Sequence, residues 1–202
     1  MFTLLGQSFS WLEALAFVTG LWCVWLVKRM SLWNWPVGVF NVACFAVLFV
    51  QARLYADALL QLAFAVLNLY GWWQWTRTAR AEQGALPVTR TTLREAGLAL
   101  PGCALAVAFG ASALARFTDS PAPVMDTAVL VLSLLATAAQ ALRRLESWWI
   151  WIAVDVVSIP LYWSRSLPLT ALLFALFLLI CIAGLREWHG HWRAQQAEPV
   201  LA

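Results

Sequence analysis

Long apolar runs separated by short polar segments dominate the 202-residue chain. A helix needs about 20 apolar residues to cross the roughly 30 Å hydrocarbon core of a bilayer. Seven runs approach that length, and we predict a membrane-spanning helix over each: 11–27, 32–50, 56–75, 95–115, 126–142, 148–163 and 167–187. The pattern therefore predicts an all-α membrane protein with seven transmembrane helices.

The composition supports this class and argues against two others. Hydrophobic residues make up 63% of the chain and charged residues 11%, with a mean hydropathy of +0.76, unlike a soluble globular domain. The net charge of +3 is spread over the loops without a nucleic-acid-binding motif, so we expect no nucleic-acid partner. The four cysteines lie within apolar runs without a close pair, which favours a packing role over disulfides or a metal site.

The basic residues predict the orientation in the membrane. Cytoplasmic segments of membrane proteins are enriched in Lys and Arg. If the N-terminus lies outside, ten basic residues fall inside and three fall outside: Arg53, Arg116 and Arg165. We therefore predict an external N-terminus, with the first helix retained rather than cleaved as a signal peptide, and a cytoplasmic C-terminus.

The third and seventh runs resemble each other when the chain is shifted by 113 positions. Gly71 then meets Gly184, and Trp75 meets Trp188. A shift of 114 aligns the second run with the sixth, and it pairs Asn41 with Asp155 and Trp35 with Trp149. The repeat predicts two three-helix units.

These units span 11–75 and 126–188. A cytoplasmic loop and a linker helix over 76–116 join them, and a cytoplasmic tail follows over 189–202. One linker helix restores the direction of the chain, so the two units are expected to run parallel. In transporters built from such repeats the substrate binds near the midplane at the repeat interface.

Two of the runs carry a polar and aromatic stripe. At 100° per residue, the stripes fall within about 80° of arc, and their members are Gln61, Phe64, Asn68, Trp72 and Trp75 on the third run and Trp148, Trp151, Asp155, Ser158 and Tyr162 on the sixth. A mid-span carboxylate costs about 2.5–3.5 kcal/mol on insertion scales and generally faces a cavity or bundle interior. Aromatic faces with amide and carboxylate groups suit a flat, partly cationic ligand. Alternatively, the polar groups bond to neighbouring helices, and some tryptophans anchor the protein at the membrane surface.

The third run resembles the PnuC family of vitamin transporters. It matches the motif Q-x-x-F-x-x-x-x-x-Y-G-W-x-x-W with every spacing kept, at Gln61, Phe64, Tyr70, Gly71, Trp72 and Trp75. The sixth run is similar to the family's W-x-x-x-N-x-x-x-x-x-x-Y, at Trp151, position 155 and Tyr162. The resemblance extends from Glu13 to Trp188.

This resemblance implies a three-plus-one-plus-three fold similar to SWEET sugar transporters, assembled as a homotrimer in the bacterial inner membrane. It implies facilitated diffusion of nicotinamide riboside, trapped by a cytoplasmic kinase, without a cofactor. Gln61, Trp151 and Asp155 are expected to contact the substrate. Further substrate-binding residues carried over from the resemblance are Asn41, Asn68, Trp72, Trp75 and Tyr162.

Asp155 departs from the family motif, which has asparagine there. An ionised Asp155 would favour a pyridinium or thiazolium ring, whereas a protonated one would donate a hydrogen bond. Thiamine and then riboflavin, which relatives carry, are therefore alternative substrates.

Two other classes of protein also contain long apolar helices. An intramembrane enzyme is disfavoured, because the histidines, His189 and His191, lie in the predicted tail. A non-transporting bundle or receptor would have polar stripes that satisfy one another without a cavity. We expect a transporter in which one three-helix unit rocks against the other, with Pro36, Gly38 and Pro160 as flex points.

Overall fold

The structure is a computed structural model that describes residues 2–4, 7–51, 53, 55–84, 86–118, 121–165 and 167–197. Within these ranges it contains a short hairpin, which the sequence did not predict, followed by seven α-helices. The antiparallel strands are β1 (Phe2–Leu4) and β2 (Gln7–Phe9). The helices are α1 (Trp11–Lys28), α2 (Asn34–Gln51), α3 (Tyr55–Ala81), α4 (Leu93–Phe117), α5 (Pro123–Ala141), α6 (Ser147–Ser164) and α7 (Pro168–Ala197).

All seven predicted runs are helical, but five of the helices are long and apolar enough to mark them as membrane spans. These five are α1, α2, α4, α5 and α7. The other two, α3 and α6, carry the polar stripes described above. Amide groups on α3 and the carboxyl group of Asp155 on α6 interrupt otherwise apolar stretches, so the polar stripes lie on helices with reduced hydropathy.

Side-chain caps fix where two helices begin. The Ser10 hydroxyl accepts the Glu13 N–H at 3.1 Å, and the Glu13 carboxylate accepts the Ser10 N–H at 2.6 Å. Thr92 and Glu95 form the same reciprocal pair before α4. Such a box satisfies two of the backbone N–H groups that the first turn leaves without helical partners.

The chain forms two compact units, residues 1–86 and 87–202, which we describe separately. In the first unit α2 packs against both α1 and α3. In the second, α4 packs on α5, α5 on α6, and α6 on α7. The boundary falls within the predicted linker loop, and the predicted linker helix, α4, belongs to the second unit.

Each unit contains a pair of tryptophans packed edge to face. In the first unit the rings of Trp35 and Trp75 lie 5.3 Å apart at 84°. In the second, the rings of Trp148 and Trp188 lie 5.4 Å apart at 90°. All four side chains are buried. We call these two pairs the indole locks.

A glycine completes each indole lock. A Cβ on Gly71 would overlap the Trp35 ring, and one on Gly184 would lie 2.5 Å from the Trp148 ring. Glycine thus allows the helix backbone to approach an indole closely. The three lock residues of one unit lie 113 positions from those of the other.

The turns before the indole locks have the same backbone geometry. Met30 has a φ of 52° and Arg143 a φ of 57°. The N–H of each donates a 2.9 Å bond to the carbonyl three residues earlier, that of Val27 and Gln140 respectively. Because these turns match residue for residue, the offset of 113 continues through the following helix.

This result changes one pairing expected from the sequence. At the offset of 114, Trp35 would correspond to Trp149, but Trp149 is 61% exposed, whereas Trp148 is buried like Trp35. At the offset of 113, Asp155 corresponds to Val42 rather than to Asn41. Asp155 therefore has an apolar counterpart in the first unit.

The second half of the linker loop is tied to the turn between α5 and α6. The Thr89 N–H donates to the Arg143 carbonyl at 3.0 Å, and the Leu145 N–H donates to the Thr89 carbonyl at 2.9 Å. Arg143 Nε also donates to the Pro87 carbonyl at 3.2 Å. The sequence predicted only a cytoplasmic loop here. Its charged and Pro-containing composition gives no sign of these backbone contacts.

Glu146 strengthens the same connection. Its carboxylate accepts the Thr91 N–H at 2.8 Å and the Arg90 Nε–H at 2.6 Å. Desolvation by burial raises the pKa of this carboxyl, but the Thr91 and Arg90 hydrogen bonds outweigh that effect and hold the pKa below its usual range. Glu146 is thus stabilised as a carboxylate.

Candidate substrate-binding residues

Asp155 lies deep in the α6 helix, with 1% of its surface exposed. Its Oδ2 atom is buried and has no hydrogen-bond partner among the described residues. The Cys181 thiol on α7 interacts with its carboxyl group. The ion pairs seen among the described residues involve Glu95, Glu146 and Asp126, and none of them includes Asp155.

One turn further along α6, Ser158 has the same character. It is fully buried, and within the described part of the chain its hydroxyl has no partner. An unsatisfied buried hydroxyl or carboxylate oxygen is costly, by about 1–3 kcal/mol or more. Asp155 and Ser158 therefore leave unused polar capacity on one face of α6, as the predicted stripe requires.

Trp151 is linked to the neighbouring helix. Its indole Nε1–H donates to the Gln140 side-chain carbonyl on α5 at 3.2 Å. Gln140 is buried and Trp151 partly buried. This bond fixes the direction in which the Trp151 ring points, as a stacking platform requires.

Tyr162, at the other end of the α6 stripe, stacks on Phe174 of α7. Their ring centroids lie 5.1 Å apart with an interplanar angle of 16°. Phe174 in turn meets Phe177 edge to face at 5.9 Å. The stripe on α6 thus runs from the indole lock at Trp148 to this aromatic cluster.

The α3 stripe differs along its length. Asn68 is buried, its amide nitrogen donates to the Phe64 carbonyl at 2.8 Å, and a Cβ on Gly38 of α2 would overlap its side-chain oxygen. Gln61 is only partly buried. Trp75 belongs to an indole lock. Its predicted partner in the stripe, Trp72, is 41% exposed and lines a surface groove.

Asn41 has contacts within the first unit. Its amide nitrogen donates to the Ala16 carbonyl at 2.6 Å and to the Thr19 hydroxyl at 2.9 Å, both on α1. These bonds match the alternative role for a polar residue in a membrane helix, which is to join two helices.

The structure thus brings Trp151, Asp155 and Tyr162 onto one side of α6, and it places Asn68 in the buried face of α3. It also adds two residues that were not predicted. Gln140 could have been noticed in the sequence, because it is an amide in an otherwise apolar run. Its contact with Trp151 could be identified only from the structure. Cys181 gave no signal, since a cysteine in an apolar helix is usually a packing residue. Among the described residues, no group of three or more His, Cys, Asp or Glu side chains lies close enough to hold a metal ion.

Helices with apolar exteriors and buried polar groups define a multi-pass membrane protein, the class that includes small-molecule carriers. The family model described as nicotinamide mononucleotide transporter matches residues 10–190. The chain therefore belongs to this family, the PnuC family of membrane transporters, and is not an enzyme.

Individual proteins show the same relationship. The nicotinamide riboside transporter PnuC of Escherichia coli is 26% identical over 91% of this chain and 87% of its own. The riboflavin/roseoflavin transporter RibM of Streptomyces davaonensis is 29% identical, over 99% of this chain and 94% of its own. A crystal structure of the vitamin B3 transporter PnuC matches with a TM-score of 0.73 at 24% identity, covering 92% of this chain and 83% of that one, and thus shares the fold.

Proposed function

We propose that this protein transports nicotinamide riboside across the bacterial inner membrane. The observation that carries the proposal is the buried Asp155 carboxyl with an unpartnered oxygen. The nicotinamide riboside transporters of Escherichia coli and Neisseria mucosa, each 26% identical to this chain, add support.

The chemistry of the ligand explains why Asp155 points to this vitamin. Nicotinamide riboside has a flat pyridinium ring, which is cationic, attached to a neutral sugar. A buried carboxylate needs a compensating charge, and none of the described ion pairs supplies one for Asp155. The bound pyridinium ring supplies that charge, so Asp155 acts as an ionised acceptor in the loaded transporter.

The remaining contacts follow from side-chain type. Trp151, oriented by Gln140, stacks on the ring, and its face attracts the cation. Tyr162 lies on the same side of α6, and Gln61 and Asn68 supply amides for the sugar hydroxyls. Asn41 and Trp75, which the sequence also predicted as contacts, have packing partners and support the site instead. Trp72, the remaining predicted contact, lines the exposed groove on α3 and is not assigned to the substrate.

Riboflavin is the second candidate, because RibM is 29% identical to this chain. Its isoalloxazine ring is uncharged near neutral pH and leaves the Asp155 charge uncompensated. Thiamine carries a cationic thiazolium ring and satisfies Asp155 in the same way as nicotinamide riboside. Ring charge therefore separates the two cationic vitamins from riboflavin, and ring size separates thiamine from nicotinamide riboside.

We propose the same architecture that the sequence predicted. The two units are parallel SWEET-like repeats in a homotrimer, with the N-terminus outside and the C-terminus in the cytoplasm. The indole locks at an offset of 113 support the repeat, and the ten-to-three distribution of basic residues supports the orientation. Uptake is facilitated diffusion, driven by a cytoplasmic kinase that phosphorylates the vitamin.

The test is an uptake panel in proteoliposomes. Nicotinamide riboside, its reduced form with an uncharged ring, thiamine and riboflavin are compared in the native protein and in Asp155→Asn. We expect the native protein to carry nicotinamide riboside at least tenfold better than the reduced form, and Asp155→Asn to lose most of that preference.

Asp126→Asn is the matched control, because it removes a carboxylate that already has a partner in Arg165 at 2.7 Å. It should keep the ring-charge preference. Uptake of riboflavin without nicotinamide riboside would overturn the substrate assignment. An unchanged preference in Asp155→Asn would remove Asp155 from the site while leaving transport itself intact.

A further inference from the structure

A groove lies along an exposed face of α3, near its C-terminal end. It is lined mainly by Leu69, Trp72, Trp73, Thr76, Arg77 and Arg80. Trp72 and Trp73 are 41% and 55% exposed, and both arginines are exposed. All of these residues come from one helix, so the groove is an open face rather than a cavity within the first unit.

The groove has a positively charged lining. From Ala58 to Ala81, α3 contains no acidic residue. Within the described part of the chain, neither Arg77 nor Arg80 forms an ion pair. By contrast, Arg90, Arg144 and Arg165 each pair with a carboxylate. The lining residues of the groove thus include two arginines and no acidic residue, and the next acidic residue along the chain, Glu82, follows the last of them.

A tryptophan of the groove also holds one of the arginine side chains in place. The Arg77 guanidinium lies 5.4 Å from the centre of the Trp73 ring, in a cation–π contact. On α1, which ends at the same side of the first unit, Arg29 lies over Trp25 at 5.9 Å. Exposed indoles collect at the level of lipid headgroups, so this part of α3 lies where a phosphate group is available.

We propose that this groove binds the phosphate headgroup of an anionic phospholipid. Arg77 and Arg80 bind the phosphate oxygens, because the planar guanidinium matches phosphate geometry. Trp73 holds Arg77 in place, and Leu69 and the two indoles contact the upper acyl chain and glycerol. In the orientation proposed above, this lipid lies in the cytoplasmic leaflet.

The experiment measures lipid binding by the full-length protein. Detergent-purified transporter is mixed with phosphatidylglycerol or with phosphatidylcholine, and bound lipid is counted by native mass spectrometry while the midpoint of thermal unfolding is recorded. We expect phosphatidylglycerol to bind and stabilise selectively. The double variant Arg77→Gln/Arg80→Gln should bind it about 25-fold more weakly, at roughly a factor of five per basic residue.

The double variant Arg94→Gln/Arg116→Gln is the matched control. It removes the same charge from exposed positions on α4 that do not line the groove, and it should retain selective binding. The wild-type lipid count provides a readout that does not depend on any variant folding. Absence of a phosphatidylglycerol adduct on the wild-type protein would overturn the proposal.

Two further measurements test whether something other than a lipid occupies the groove. If inorganic phosphate alone reproduces the stabilisation, the site binds a free anion and the lipid assignment is wrong. If Arg77→Gln/Arg80→Gln changes the molecular mass in solution, the face is a contact between copies of the chain. Retained phosphatidylglycerol selectivity in that variant would also contradict the proposal.

Discussion

Trp148 on α6 meets Trp188 on α7 edge to face at 5.4 Å, and Gly184 provides the space that brings the two helices together. Edge-to-face aromatic pairs contribute about 0.5–1.5 kcal/mol beyond the area they bury. The contact also fixes the rotation of α6, because Trp148 and Asp155 lie seven residues apart and so on the same side of the helix. The indole lock thus determines the direction in which Asp155 points.

Gly184→Ala should destabilise the protein by about 1–3 kcal/mol, since the added methyl group forces the Trp148 ring to move. A lower midpoint of thermal unfolding in detergent is the measurement. Gly97→Ala is the control, because a Cβ there meets nothing within 4 Å and should leave the midpoint unchanged or higher. Equal midpoints for Gly184→Ala and wild type would show that the indole lock tolerates the methyl group.

Gln140→Leu should weaken nicotinamide riboside binding about tenfold, because Trp151 loses the acceptor that orients its ring. Gln140→Glu keeps an oxygen at the same position and should restore most of the affinity. Isothermal titration of both variants provides the dissociation constants, and their unfolding midpoints show whether stability changes as well. If leucine and glutamate give the same affinity, Gln140 has no positioning role.

The hydrogen bonds to Glu146 predict how stability depends on pH. Because the folded pKa is lowered, the carboxylate stabilises the fold fully above the ordinary pKa near 4.5, and this contribution is lost as the pH falls through the folded pKa. Thermal unfolding from pH 7 to pH 3 should show a steeper loss for wild type than for Glu146→Gln. The exposed Glu82→Gln serves as control and should follow the wild-type curve. Parallel curves for Glu146→Gln and wild type would contradict this assignment.

Asn41→Ala should lower the free energy of unfolding by about 1 kcal/mol, since two bonds to α1 are lost and such bonds average about 0.6 kcal/mol. Nicotinamide riboside affinity should stay within twofold of wild type, roughly 0.4 kcal/mol. Thr19→Val removes one of the two acceptors and should couple to Asn41→Ala in a double-mutant cycle. Weaker binding at unchanged stability would instead place Asn41 in the substrate site.

Helix number and approximate position were predictable, because a run of apolar residues long enough for the bilayer has few alternatives to a helix. Helix ends were less predictable. The run ending at 75 continues as α3 to Ala81, and the run ending at 187 continues as α7 to Ala197. A membrane helix can continue beyond the bilayer through polar residues. Hydropathy therefore gives the length of the membrane crossing rather than that of the helix.

The candidate site was predictable only in part. Helical spacing placed Trp151, Asp155 and Tyr162 on one side of α6, since 100° per residue is a property of the helix itself. The same spacing grouped Trp72 with Asn68, although one is 41% exposed and the other buried. Which side chains of a stripe face the adjacent helix depends on how the helices pack together. The Trp151–Gln140 bond depends on that packing too.

The two indole locks also bear on how such a carrier diverges. Both units contain an indole lock, but positions deeper in their helices differ. In the first unit Gly38 lies opposite Asn68, whereas the positions 113 residues later are Trp151 and Cys181. Two identical halves would suit a cargo with two identical ends, whereas nicotinamide riboside has a charged ring at one end and a sugar at the other. Two matching indole locks with unlike residues between them allow the preferred cargo to change through interior substitutions alone, while both locks stay the same.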